Sequence, residues 1–107
     1  MKRGDVILAA LPRALGKPRP AVVLQETDVF PAINSLTVLP LSTYASGLEI
    51  RVIIDPTREN GLGRRSETMI DKVMTVEAAR IGPVIGQLSP ADLRRVDRAL
   101  ATFLGFA

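Results

Sequence analysis

The sequence predicts a mainly β fold: a small barrel of five to six short strands, finished by one C-terminal amphipathic helix. Three observations carry that expectation. Short apolar, β-branched runs recur along the chain, each stopped by proline, glycine or a polar cluster. Helical periodicity is clear in one stretch only, at Leu93, Val96, Leu100, Phe103 and Leu104 near the end. No long helices alternate with the strands, which argues against a doubly wound sheet. At 107 residues, 47% hydrophobic, with eight glycines and eight prolines, the chain fits a single domain over residues 1–107 with one core.

The first expected strand is 5–11, an apolar run ended by Pro12; residues 12–20 then form a basic, Pro- and Gly-containing loop. A second strand is expected over 21–26, followed by a connection through 27–34. A third runs over 36–41, with Pro40 placing its end at an edge or bulge because proline cannot donate to a ladder. Residues 42–47 make a hydroxyl-rich loop. Ile50, Val52 and Ile54 on one face, with Glu49 and Arg51 opposite, predict a fourth strand at 49–54. A polar loop at 58–66, a fifth strand at 68–73, a helical turn at 77–80 and a last short strand at 81–87 follow. Ser89 as N-cap, Pro90 at the first helical position, Asp92 in the first turn and Gly105 as terminator bracket the final helix. Its apolar stripe is expected to lie across the sheet as core, with Arg94, Arg95 and Arg98 on a solvated face. The set as a whole argues for a barrel of the SH3-like kind.

Composition removes several kinds of chemistry. The chain has neither cysteine nor histidine, so it lacks a thiolate nucleophile, a disulfide, and the usual acid–base side chain and metal ligand. The carboxylates are scattered and form no calcium or magnesium loop, so neither metal nor cofactor is expected. Phe30, Tyr44, Phe103 and Phe106 are the four aromatic residues, too few for the stacking platforms of many single-strand binders. The net charge is +3, and eleven of the fourteen basic residues are arginine, a bias that suits bidentate recognition of phosphate or carboxylate. The sequence shows neither a secretory signal nor an apolar run of membrane-spanning length, and a cytoplasmic location is expected.

In Gly16-Lys17-Pro18-Arg19-Pro20, two prolines stiffen the backbone around Arg19 at a strand entrance. A cationic fork held there suits a phosphate; the plainer alternative is that Lys17 and Arg19 solubilise a loop. Ser42 with Thr43, and Asp71 with Lys72, also fall at strand ends, where the loops of a small barrel converge on one rim. Each has a plain reading as well: a polar turn, a surface ion pair and, for Arg64-Arg65, a solvated loop.

Taken in order, these pieces resemble the MazF/PemK toxins of bacterial toxin–antitoxin pairs. The resemblance begins at Arg3-Gly4-Asp5-Val6-Ile7 and continues through Arg19-Pro20-Ala21-Val22-Val23-Leu24, Val38-Leu39-Pro40-Leu41-Ser42-Thr43 and Asn60-Gly61-Leu62. It ends with Ser66, Asp71-Lys72-Val73-Met74-Thr75-Val76 and the Gly86-Gln87-Leu88-Ser89 entry to the last helix. It implies a dimerising SH3-like barrel that cuts single-stranded RNA without metal, by attack of the ribose 2′-hydroxyl, leaving 2′,3′-cyclic phosphate and 5′-hydroxyl ends. Arg19 matches the family's catalytic arginine. Ser42 stands where threonine is usual and keeps the hydroxyl, and Asp71 matches a carboxylate that some members use as general base. Lys17, Thr43, Arg64, Arg65 and Lys72 are the substrate-binding candidates. Three departures are visible: the Glu-Gln pair usual before the Arg-Pro motif is missing, the loop from 12 to 18 is short, and Met69 stands where some members carry a second catalytic arginine. The implied partners are single-stranded RNA, a second copy of the chain and an antitoxin whose acidic segment covers the basic rim. A toxin of the CcdB type, which poisons DNA gyrase by binding alone, is the alternative from another class.

Overall fold

The computed structural model describes residues 1–12 and 17–107. Among the described residues seven strands are formed: β1 Asp5–Ala10, β2 Pro18–Val23, β3 Ser35–Ser42, β4 Ile53–Ile54, β5 Ser66–Thr68, β6 Met74–Glu77 and β7 Ile81–Gln87. Helix α1 is the short Phe30–Ile33 turn, and α2 is Pro90–Leu104. All strand pairs are antiparallel, in the order β4-β5-β3-β2-β1-β7, with β6 also pairing with β3. Register shifts along the β1–β7 pair at Val6/Ile7 and Ile7/Ala9 bend the ladder and curl the sheet towards a barrel. The mainly β architecture with its C-terminal helix is the expected one, although its strands number seven.

Successive residues of β1 serve different cores. Val6 packs with Val22, Leu39 and Ile54 beneath α2, whereas Ile7 packs with Val23, Leu36 and Val38 on the opposite face. With both faces covered, β1 to β3 read as continuous apolar runs instead of alternating ones. Among the described residues, no helix is long and apolar enough to cross a membrane.

Several boundaries move, each for a physical reason. The second strand begins at Pro18, so Arg19 lies within it, paired with Ala9, and not in a loop before it. Pro18 and Pro20 are two apart, so their missing N–H groups fall on one edge. Pairing with β3 starts only at Ala21, which leaves an edge to accommodate them. Of the basic loop expected at 12–20, residues 13–16 lie outside the described residues. Pro40 is buried inside β3, at the place where that strand changes partner: β6 is paired up to Val38 and β5 from Leu41. The expected fourth strand at 49–54 shrinks to Ile53–Ile54. A turn closed by the Arg51 N–H donating to the Leu48 carbonyl (3.2 Å) swings Arg51 inward to buried carboxylates. The expected fifth strand at 68–73 is two strands, β5 and β6, separated by a 3₁₀ turn at Ile70–Lys72.

Helix α2 begins and ends where its caps predict. Ser89 Oγ accepts from the Asp92 N–H at 3.0 Å, and Gly105 closes the helix at φ 84°. Asp97 holds the chain start through an ion pair with Arg3. The apolar stripe is core only in its first half: Val96 is fully buried and Leu93 and Leu100 are half-buried, but Phe103 and Leu104 are 47% and 52% exposed. Packing of the 58–66 loop over β7 leaves no room for a side chain at Gly86. A Cβ there would lie 2.4 Å from the Glu59 carbonyl oxygen, and the Gln87 N–H donates to that same oxygen at 2.9 Å.

Candidate functional site

The β2–β3 ladder ends at Ala21↔Pro40, and Arg19 and Ser42 lie just beyond that end, both lining one cleft. At this end of the two strands a cleft of about 640 Å³ opens. Its floor is apolar, from Leu41, Met69 and Met74 among others, and its rim carries Arg19, Ser42, Thr43, Tyr44 and Lys72. Among the described residues no carboxylate pairs with Arg19. An exposed guanidinium with no partner, at the mouth of a cleft, is available to an anion. Ser42 Oγ accepts from the Tyr44 N–H at 3.1 Å. This fixes the hydroxyl oxygen while leaving its own hydrogen free to donate into the cleft.

Beneath the Ser42 loop lies a network that local sequence patterns do not reveal. Arg51 grips Asp71 with both arms, Nε to Oδ1 at 2.9 Å and Nη2 to Oδ2 at 3.2 Å, and reaches Glu67 Oε1 through Nη1 at 3.1 Å. The side chains of Arg51, Glu67 and Asp71 are 8%, 6% and 21% exposed. Glu67 in turn accepts from the Ser46 N–H with both oxygens at 3.3 Å, so the network anchors the loop that carries Ser42 and Thr43. Hydrogen bonds from Ser46 hold the Glu67 carboxyl below its usual range against the opposing effect of burial, and Arg51 adds to this. The Arg51 hydrogen bond does the same for Asp71 and outweighs its desolvation, while Asp71 raises Arg51 in return.

The predicted site residues therefore separate into groups. Arg19, Ser42, Thr43 and Lys72 meet on one cleft. Asp71 does not line it: both its oxygens are engaged by Arg51, and Lys72 Nζ lies 3.7 Å from Oδ2. Arg65 pairs with Asp55 at 3.5 Å, largely exposed, and lines a neighbouring cavity of about 560 Å³ together with Ser42, Thr43 and Tyr44. Arg64 is exposed and lines neither cavity; Lys17 is exposed just before β2. Arg51, Glu67 and Tyr44 escape the sequence reading. The only local hint of Arg51 is a charge embedded in an apolar alternation, which reads equally well as an outward face.

Fold and cleft together define a small curled β-sheet protein with an arginine and hydroxyl anion site and no thiol or imidazole chemistry. Residues 2–104 match the family of PemK-like, MazF-like toxins of type II toxin–antitoxin systems, and the chain belongs to it. A probable endoribonuclease MazF of Mycolicibacterium smegmatis is 43% identical over 109 residues, covering 100% of this chain and 99% of the relative. Among solved structures, the Mycobacterium tuberculosis toxin MazF-mt6 superposes with a TM-score of 0.80 at 27% identity, covering 94% of this chain and 96% of that one. A mycobacterial endoribonuclease in complex with its cognate antitoxin shares the fold at a TM-score of 0.82 and 20% identity, covering 100% of this chain and 97% of that one.

Proposed function

We propose that this toxin, acting as one domain over residues 1–107, is an endoribonuclease that cuts single-stranded RNA at the Arg19–Ser42 cleft. The observation that carries the reading is an exposed arginine without a carboxylate partner among the described residues, lining one cleft with the Ser42 hydroxyl, in a chain of this family. In the reaction the ribose 2′-hydroxyl gives up its proton to solvent water as O2′ bonds to phosphorus, and the P–O5′ bond breaks. The products are a 2′,3′-cyclic phosphate and, once O5′ takes a proton, a 5′-hydroxyl. Charge accumulates on the non-bridging oxygens as the phosphorus becomes five-coordinate. Arg19 and the Ser42 hydroxyl, with Thr43 beside it, stabilise that charge. Lys17, Lys72, Arg64 and Arg65 contribute salt-sensitive attraction for the flanking phosphates. Asp71 acts through Arg51 and Lys72, as the anchor of both, because its lone pairs are taken and its basicity is lowered.

The cation-rimmed cleft suits an acidic antitoxin segment as well as it suits RNA. The exposed apolar strip of Ile50, Phe103 and Leu104 suits a second copy of the chain. The protein works in the cytoplasm, where its RNA lies. Incubation with a long single-stranded RNA in EDTA tests the core of this reading. Discrete fragments with cyclic phosphate and 5′-hydroxyl ends are expected from a species of twice the 11.5 kDa chain mass. RNA left intact while gyrase supercoiling is inhibited would move the function to the exposed C-terminal surface around Phe106.

A further inference from the structure

We propose that Tyr44 is a stacking platform for one base of the bound RNA, and that the two cavities it separates receive the neighbouring nucleotides. This rests on the ribonuclease reading above and adds to it a base-contacting side chain. Tyr44 is 73% exposed and lines both the 640 Å³ cleft and the 560 Å³ cavity beside it. The other aromatic residues are elsewhere: Phe30 packs against the core on the face away from α2, and Phe103 and Phe106 lie in α2 and just after it.

Three features make this ring a binding element and not merely an exposed side chain. Its backbone is held, because Ser42 Oγ accepts the Tyr44 N–H, Glu67 holds Ser46, and Ser46 Oγ accepts the Leu48 N–H at 3.1 Å. A ring on a stapled loop loses little freedom when a ligand docks. Cations flank it, with Arg19 and Lys72 in the first cavity and Arg65 in the second. Phosphates held on either side would draw the intervening base across the tyrosine. Finally, stacking tolerates any base, because every base presents a π face, so the contact adds affinity without fixing sequence.

The chain contains one tyrosine and no tryptophan, so its intrinsic tyrosine emission reports on this residue alone. The probe is a short mixed-sequence RNA whose 2′-O-methyl groups remove the nucleophile. Saturable quenching is expected on titration into the wild-type protein. With the same RNA carrying a fluorescent end label and binding read by its anisotropy, Tyr44→Phe should bind within about threefold of wild type and Tyr44→Ala about ten- to a hundredfold more weakly. On cleavable RNA, Tyr44→Ala should raise KM and leave kcat nearly unchanged, with its melting curve unaltered. RNA cleaved with an unchanged KM by Tyr44→Ala, or bound without quenching, overturns the stacking role while leaving the ribonuclease standing. Antitoxin affinity lost with RNA affinity intact also overturns it, by assigning the ring to the protein partner. A wild-type protein that neither binds the probe nor cuts RNA removes both readings together.

Discussion

Arg19→Ala protein is expected to leave RNA uncut, its cleavage rate falling by about a thousandfold or more, while it melts at the wild-type temperature. The size follows from what the guanidinium faces. Removing one well-placed donor from a site where charge develops costs on the order of 10²–10³ in rate, and this donor also carries a full positive charge. Stability should hold because Arg19 is exposed and pairs with no carboxylate among the described residues, so truncation strands no buried partner. Its backbone pairing with Ala9 does not depend on the side chain. Arg19→Lys should recover part of the rate, since a lysine keeps the charge but loses the planar fork. Gel-resolved cleavage beside a thermal melt decides the matter. Undiminished cleavage would place the chemistry elsewhere, and a collapsed melt would make Arg19 structural.

The second large effect concerns stability. Arg51→Met retains the length of the side chain but leaves Glu67 and Asp71 facing each other without their shared cation. Breaking such a buried pair from one side costs about 3 kcal/mol at neutral pH. The pH dependence should flatten. In the wild type both carboxyl groups titrate below their ordinary range when folded, so their contribution is present at neutral pH and is lost as pH falls through those lowered values. In the variant Asp71 loses the hydrogen bond that chiefly holds its carboxyl down, while Ser46 still holds Glu67. Arg51→Met should therefore lose less stability than the wild type as pH falls through the carboxylate range. Urea midpoints measured across that range test this, and parallel curves for the two proteins would show that Arg51 does not compensate these charges. The loop beyond Ser42 should loosen as well, because Glu67 anchors Ser46.

What the sequence reveals divides along the range of the interactions. Helix α2 is readable from Ser89 to Gly105 because its caps and first turn are local. The extent of its buried face is not: helical spacing marks Phe103 and Leu104 as core, yet the helix runs past the edge of what the sheet covers. The stretch 49–54 fits a strand template, but Arg51 answers to carboxylates sixteen and twenty residues downstream, and that long-range pairing turns the chain. Thr68 to Val73 reads as one strand because nothing local announces that β3 exchanges partners at Pro40. Arg19 and Ser42 were legible as candidates from their motifs; that they line one cleft required the folded sheet. Tyr44 looked like one aromatic among few, and its position between two cavities comes from the folded loop alone.

The sandwiching of β1 between β2 and β7 also governs when the molecule becomes active during its own synthesis. Asp5 pairs with Gln87, so the first strand made must wait for the seventh before its outer edge is satisfied. A nascent chain with Arg19 and Ser42 already translated still lacks β7 and the helix that covers Val6 and Val22. Pairing across such sequence separation is also slow to nucleate, on the order of milliseconds to seconds. RNA cleavage is therefore expected only once the final strand and helix have been translated and have docked on β1.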